Sequence, residues 1–217
     1  MNDIEIKNAT ILDGLGNEPY TGNIYVKDGK IVVITHKETY EASVSLNASG
    51  KIVTPGFIDL HTHSDLSFLL DSTAQSKVRQ GVTMELIGNC GMSTCAPLIG
   101  ESKDLLMQRL STYENGGGLT DKINWTDYAG YIEASKKAKA TLNIAFQIGH
   151  ASLRLAVMGQ DDRSPTADEL TEMKRIAGES LDAGALGFST GLFYAPGYYA
   201  RTDEIIAIAE EAGKRNK

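Results

Sequence analysis

Cysteine is scarce in this sequence: among 217 residues it occurs only at Cys90 and Cys95. Two cysteines cannot build the disulfide framework of a small secreted domain, so a reducing compartment, the cytoplasm, is the expected location. The first residues lack the basic and apolar regions of a secretion signal. No apolar run approaches the roughly 18 residues that a membrane-spanning helix needs.

An excess of positive charge is also missing. The chain has 21 lysines and arginines against 28 acidic residues, a formal net charge of −7. Nucleic acids and anionic membrane surfaces attract basic patches, so we expect neither as a partner. The hydrophobic and charged fractions are ordinary for a globular protein, and the length permits one or two domains.

The sequence pattern changes near residue 55. Residues 1–54 are predicted to form a small β-sandwich-like module, incomplete, with a tight hairpin at Asp28-Gly29. From 55 to 217, predicted strands alternate with predicted helices, which indicates βα units and a parallel sheet. A Thr166–Glu169 capping box marks the start of one of these helices. We predict four strands in this region, at residues 57–60, 82–87, 143–148 and 185–188.

Four βα units correspond to half of a (β/α)8 barrel, which usually takes about 250 residues. An open four-stranded sheet is the alternative, and its unpaired edges would then need covering. We predict an α/β fold in which the first four βα units of a TIM-type (β/α)8 barrel follow the small β-sheet module. The barrel would be incomplete.

Two of the four histidines lie in one tripeptide, His61-Thr62-His63, at the end of the first predicted barrel strand. Side chains at i and i+2 of a strand point to the same face, with roughly 7 Å between their Cα atoms. Two imidazoles held there can bind one metal ion, whereas Thr62 should point away. Histidines with satisfied structural hydrogen bonds are the alternative, but the carboxyl end of a βα strand is where barrels keep their sites.

A glycine-rich motif around Cys90 follows the second predicted strand. Gly88 and Gly91 allow a sharp turn that would bring Cys90 to the face carrying the two histidines. A thiolate there would be a good zinc ligand. The alternative is a buried, inert cysteine, but the position one βα unit after the histidine pair favours a ligand. Cys95 lacks such a setting, and we interpret it as loop packing.

Two further residues are candidates for binding a substrate. His150 ends the third predicted strand, and a hydrogen-bonded structural role is its alternative. Tyr194 follows the fourth strand, and its phenol could hydrogen-bond a carbonyl or carboxylate, unless it only packs under a loop. Arg154 is a weaker candidate clamp for a carboxylate. No histidine follows Ser189 in the sequence, so we expect no serine nucleophile.

Together these motifs resemble a known family. Residues 8–14 and the Asp28-Gly29 hairpin resemble the amino-terminal part of the amidohydrolase superfamily. The combination of residues 56–63, 81–83, 88–91 and 184–194 is similar to its N-acyl-D-amino-acid deacylase (D-aminoacylase) branch. The resemblance covers essentially the whole chain but only about half of the family's length, and the chain is identified as the amino-terminal half only.

The resemblance implies a zinc-dependent hydrolase that cleaves the linear amide of N-acyl-D-amino acids, with one or two zinc ions. In that branch a cysteine at the position of Cys90 is a metal ligand, beside His61 and His63. Two more histidine ligands come from the fifth and sixth strands. The general-base aspartate comes from the eighth strand and is therefore expected beyond Lys217, so the isolated chain is expected to be inactive.

Two alternatives remain open at this point. The chain could be another amidohydrolase, hydantoinase-like or dipeptidase-like, which a comparison of N-acyl-D-amino acids with cyclic amides would separate. It could instead be a non-catalytic half-barrel that requires a partner. Its expected associations are a small-molecule N-acyl-D-amino acid and either a second copy of the chain or the missing carboxyl-terminal half. As a fragment, it would be a truncated gene product or half of a split enzyme.

Overall fold

A computed structural model describes residues 1–94, 96–113 and 119–217, without the side chains of 109 and 111–113. The chain divides into two compact units, Met1–Gly56 and Phe57–Lys217. Cys95, which we interpreted as loop packing, lies outside the described residues. No helix among the described residues is both long enough and apolar enough to cross a membrane.

The first unit is a five-stranded sheet. Its spatial order is β3-β2-β1-β4, with β5 also pairing with β1. Asp28 and Gly29, at φ 51° and 71°, form the predicted turn between β2 and β3, because a type I′ turn needs positive φ at both positions. Strand β4 was not predicted, since five of its six residues are exposed and it pairs with β1 in parallel. The strands are β1 (Asn2–Ile11), β2 (Tyr20–Lys27), β3 (Lys30–Thr35), β4 (Ala42–Asn47) and β5 (Ile52–Val53).

The second unit contains a parallel sheet whose four strands follow one another in sequence order, β6-β7-β8-β9. This order, with helices between the strands, confirms the prediction of half a βα barrel. Register pairs Asp59 with Glu85 across β6 and β7, and Gln147 with Gly187 across β8 and β9. The strands are β6 (Phe57–Asp59), β7 (Val82–Ile87), β8 (Asn143–Gly149) and β9 (Gly187–Ser189).

Seven α-helices connect and flank these strands in the part of the chain that the structure describes. The predicted capping box is present: Thr166 accepts a hydrogen bond from the Glu169 amide, and Glu169 accepts one from the Thr166 amide. The helices are α1 (Ser67–Leu70), α2 (Gln75–Val78), α3 (Gly100–Tyr113), α4 (Tyr128–Ala138), α5 (His150–Met158), α6 (Ala167–Asp182) and α7 (Thr202–Gly213).

The core of the second unit lies between the sheet and its helices. Tyr131 on α4 packs edge-on against Phe146 of β8, with ring centroids 5.2 Å apart. Full burial of such a large apolar side chain contributes roughly 1.5–3 kcal/mol. This packing holds the strands in place. The loops at the carboxyl ends of the strands remain available to carry the residues of a site. The core includes Ile87, Tyr128, Tyr131, Phe146, Ile148, Leu153, Met173, Leu181 and Ile208.

The two outer strands of this sheet present apolar side chains to solvent. On and beside the β6 edge, Phe57, Ile58 and Leu60 are each more than half exposed, and so is Leu186 beside the β9 edge. An exposed strand edge with apolar side chains is a template for pairing with another chain. Both edges therefore favour association.

We predict that the purified chain forms a dimer or a larger species through these edges. Light scattering should give a mass well above the 23.4 kDa of one chain. Ile58→Lys should shift the population toward monomer, because a charge on β6 opposes strand pairing. Ile206→Lys on α7, at a side chain exposed to a similar extent, should not. A monomeric parent chain at every concentration would contradict the prediction.

Candidate metal centre

The two histidines lie just beyond the end of β6. The His61 amide donates to the Asp59 carboxylate at 3.2 Å, where the chain bends after the strand. Both rings are exposed, and their centroids are 5.6 Å apart. Thr62 is buried on the other side, where its hydroxyl lies 2.6 Å from the Ser64 hydroxyl. The alternation expected of a strand thus extends to the histidine pair.

Cys90 meets the histidines from the neighbouring strand. Its Sγ lies 3.2 Å from Nε2 of His61, and one donor atom from each of Cys90, His61 and His63 lies within 4.8 Å of the others. No other group of three histidine, cysteine or acidic side chains among the described residues comes this close. The structure therefore brings together the three side chains that the sequence indicated as ligands.

The three donors fit a zinc ion. Zinc binds thiolate sulfur at about 2.3 Å and imidazole nitrogen at about 2.0–2.1 Å, so donors around a tetrahedral ion lie roughly 3.3–3.6 Å apart. Spacings up to 4.8 Å need only small side-chain movements to reach that value. Two imidazoles with one thiolate are also a donor set that suits zinc better than magnesium or calcium. Three protein ligands leave one position of a tetrahedron open.

The backbone at Cys90 is unusual. Its φ is 56°, in the left-handed region, and it lies between Gly88 at 78° and Gly91 at 72°. A non-glycine residue there costs roughly 1–2 kcal/mol. Such a conformation persists only where surrounding contacts hold it. The sharp turn expected from the two glycines is present, and it brings the thiol toward His61.

A cavity of about 320 Å³ adjoins the candidate metal centre. Tyr194 contributes to its wall, is about half exposed, and packs edge-on against Phe193 with ring centroids 5.3 Å apart. The Tyr194 phenol therefore borders the same space as two of the candidate ligands. The cavity is lined by His63, Asp65, Cys90, Met92, Thr94, Tyr194 and Ala195.

Asp65 is a cavity residue that the sequence reasoning missed. It is 1% exposed. The backbone N–H groups of Asp65, Thr94 and Gly88 and the Thr94 hydroxyl lie near the carboxylate, but no described residue reaches either of its oxygens with hydrogen-bond geometry. Burial raises the pKa of Asp65 to about 6. Asp65 lies in a turn and is buried, unlike the exposed His61 and His63, so strand alternation gave no signal for it.

His150 does not reach the cavity. It is fully buried as the first residue of α5, and its Nε2 lies 2.8 Å from Oε1 of Glu204. The strand was expected to end at His150; instead β8 ends at Gly149, α5 begins at His150, and the imidazole pairs with Glu204 of α7. This position fits the hydrogen-bonded structural alternative and differs from the expected substrate contact. Arg154 is also fully buried, so it is no surface clamp.

Glu204 is the acid that pairs with both buried bases. Arg154 Nη1 donates to its Oε2 at 2.6 Å. Burial alone would raise the pKa of Glu204, but the hydrogen bonds from His150 and Arg154 outweigh it and hold the pKa below its ordinary value of 4.5. This buried cluster joins α5 to α7. Its contribution to stability is therefore present above pH 4.5 and is lost as the pH falls through the lowered pKa.

We predict that Glu204→Gln lowers the free energy of unfolding at pH 7 by about 3 kcal/mol, because it leaves Arg154 buried without its counter-charge. Urea denaturation monitored by circular dichroism measures this change. Glu210→Gln, an exposed position on the same helix, should change the free energy by less than about 0.5 kcal/mol. Equal effects of the two substitutions would contradict a structural role for the cluster.

Comparison with known proteins gives the site a family context. The model of the amidohydrolase family matches residues 45–214. The chain belongs to the amidohydrolase family. It is 36% identical over 214 residues to the N-acyl-D-glutamate deacylase of Alcaligenes xylosoxydans xylosoxydans, covering 98% of this chain and 42% of that protein. This amidohydrolase chain thus spans less than half the length of the curated relative.

Solved structures give the same result. The zinc- and phosphonate-bound N-acyl-D-glutamate deacylase of Bordetella bronchiseptica matches with a TM-score of 0.83 and 35% identity, over 100% of this chain and 44% of that one. A D-aminoacylase crystal structure matches with a TM-score of 0.87 and 33% identity, again over 100% and 44%. The half-barrel of this amidohydrolase chain therefore has the same fold as the corresponding part of these two structures.

We predict that Cys90→Ala at least halves the zinc that remains bound to the chain after dialysis, because one of three donors is lost. Atomic absorption gives zinc per polypeptide. Cys95→Ala removes the other cysteine and should leave the zinc content unchanged. Unchanged zinc in Cys90→Ala would remove Cys90 from the ligand set.

Proposed function

We propose that this chain carries the amino-terminal half of a zinc-dependent hydrolase that cleaves the linear amide of N-acyl-D-amino acids. The observation that carries the proposal is the convergence of three donor atoms within 4.8 Å at adjoining strand ends. The relatives add the reaction class: one is an N-acyl-D-glutamate deacylase and one is a D-aminoacylase.

In this proposal His61, His63 and Cys90 hold one or two zinc ions, with further donors coming from the part of the enzyme that this chain does not match. Zinc supplies a Lewis acid that polarises the amide carbonyl and makes water more acidic. The chain's own task is to hold the imidazoles and the thiolate in place. The bound zinc of the Bordetella bronchiseptica relative supports the choice of metal.

The cavity beside the ligands is the proposed place for the substrate. Its opening is bordered by the exposed Tyr194 phenol, which can donate a hydrogen bond to a carboxylate or an acyl carbonyl. Met92 and Ala195 supply apolar surface for an acyl or side-chain group. Tyr194 would orient the amide relative to the three donors.

The general base is proposed to lie outside this chain. Asp65 is the acid in the cavity wall, and at 1% exposure it is poorly placed to exchange a proton with solvent. A catalytic base must be within hydrogen-bond reach of the proton that it removes. We therefore propose that the isolated chain is inactive and that the remaining strands, which would pair with the exposed edges of β6 and β9, complete the site.

Co-expression with the missing half tests this proposal. The partner would be the carboxyl-terminal part of the N-acyl-D-glutamate deacylase of Alcaligenes xylosoxydans xylosoxydans that this chain does not match. With zinc, we expect the pair to release free amino acid from N-acetyl-D-glutamate or N-acetyl-D-methionine, and not from the L-enantiomers. The chain alone, the partner alone and a pair carrying His61→Ala should be inactive.

The other outcomes are equally informative. Faster hydrolysis of a cyclic amide such as a substituted hydantoin would favour a hydantoinase-like enzyme. A stable, zinc-loaded pair that hydrolyses none of these compounds would favour a non-catalytic half-barrel. A chain that retains no zinc above background would contradict the proposed metal centre itself.

A further inference from the structure

The turn that carries the thiol is bridged by a single hydroxyl from a distant strand. We define the cysteine turn as residues 88–91. Ser189, at the end of β9, accepts a hydrogen bond from the Gly91 amide at 3.0 Å. The same hydroxyl donates to the Gly88 carbonyl. These two backbone groups flank Cys90, so Ser189 spans the turn from one side of the cysteine to the other.

The cysteine turn is also packed backbone against backbone. A Cβ atom added at Gly88 would lie 2.1 Å from the Gln147 carbonyl oxygen of β8, and one at Gly191 would lie 1.9 Å from the Cys90 carbonyl oxygen. Non-bonded atoms cannot approach so closely, so only glycine fits at these contacts. The ends of β8 and β9 therefore form a slot whose shape matches the turn.

A second set of contacts holds the far end of the turn. The Ser152 amide of α5 donates to the Gly91 carbonyl at 3.2 Å. The Ser93 amide donates to the Ser152 hydroxyl at 2.9 Å. These bonds fix where the chain goes after Cys90, but they do not reach Gly88. Of the side chains that the structure describes, Ser189 is the one whose hydroxyl bonds both flanks of the cysteine.

We propose that Ser189 is a positioning residue for the metal ligand Cys90. Its hydroxyl holds the cysteine turn closed and so keeps the left-handed Cys90 backbone in the conformation that directs Sγ to His61. The metal part of this inference rests on the proposed function, whereas the bridge itself is a property of the metal-free chain. Partners that orient metal ligands typically change metal affinity by roughly 10–100-fold when they are removed.

The same hydrogen bonds assign Ser189 a role that differs from nucleophilic catalysis. Its proton is directed to the Gly88 carbonyl and one lone pair is directed to the Gly91 amide. A hydroxyl that is engaged in both directions is poorly available to a substrate. Ser189 also begins the loop that leads to Tyr194, so the bridge connects the cysteine turn to the segment bordering the cavity.

The first measurement uses the zinc-free chain. Ser189→Ala should raise the exchange rate of the Gly91 amide hydrogen about tenfold, which corresponds to the loss of one hydrogen bond. NMR-detected hydrogen exchange resolves that amide. Ser180→Ala is the control, because it removes a serine hydroxyl that is buried and bonds only within α6. Ser189→Thr keeps the hydroxyl and should retain the slow exchange.

The second measurement is titration with cobalt(II), whose thiolate charge-transfer absorption reports a bond to Cys90. Ser189→Ala should weaken cobalt binding by roughly 10–100-fold and lower or shift that absorption. Ser189→Thr should restore both, and Ser180→Ala should match the parent chain. If Ser189→Ala does not fold, Ser189→Val replaces it, because valine matches the shape of threonine without the hydroxyl.

The outcomes separate the bridge from the metal centre. Unchanged Gly91 exchange in Ser189→Ala would overturn the bridge. Faster exchange with unchanged cobalt affinity and absorption would overturn the positioning role and leave Ser189 purely structural. A parent chain that gives no thiolate–cobalt absorption would refute the proposed function and the positioning role, while Gly91 exchange would still decide whether the bridge exists.

Discussion

The geometry of the candidate metal centre depends on the left-handed backbone of Cys90. Asp59 pairs with Glu85 across β6 and β7, so His61 lies two residues beyond the paired level and Cys90 five residues beyond it. A fully extended chain would carry the thiol well past the imidazole. The turn at residues 88–91, with positive φ at Gly88, Cys90 and Gly91, folds the extra length back, which is why the sulfur lies 3.2 Å from the His61 ring.

The strand ends that carry the ligands also need their own charges balanced. Asp59 and Glu85 are directly paired acids, and like charges opposite one another destabilise a sheet. Lys77 lies between them, 2.6 Å from the Asp59 carboxylate and 3.1 Å from that of Glu85. The hydrogen bond from Lys77 holds the pKa of Asp59 below its ordinary value. Lys77 thus compensates the repulsion between the Asp59 and Glu85 carboxylates, close in sequence to the histidine pair.

The sequence predicted what depends on local pattern. The strand at 82–87, the hairpin at Asp28-Gly29 and the histidine alternation follow from neighbours a few residues apart. Ser189 could not be recognised in this way, because its partner Gly91 is 98 residues away. His150 differed for another reason: a histidine after Gly149 can end a strand or begin a helix, and its buried partner Glu204 on α7 is 54 residues away.

The elements of the half-barrel are enough to hold the three donors, His61, His63 and Cys90, in position. The two histidines follow β6 and the cysteine follows β7, while β8, β9 and the residues after β9 supply the glycine contacts and the Ser189 bridge. Helix α5 adds the Ser152 contact to Gly91, and α5 is itself held to α7 through the Glu204 cluster. Every element that shapes the cysteine turn therefore belongs to these four βα units. Under the proposed function, further ligands and a proton acceptor would be added to this arrangement of three donors.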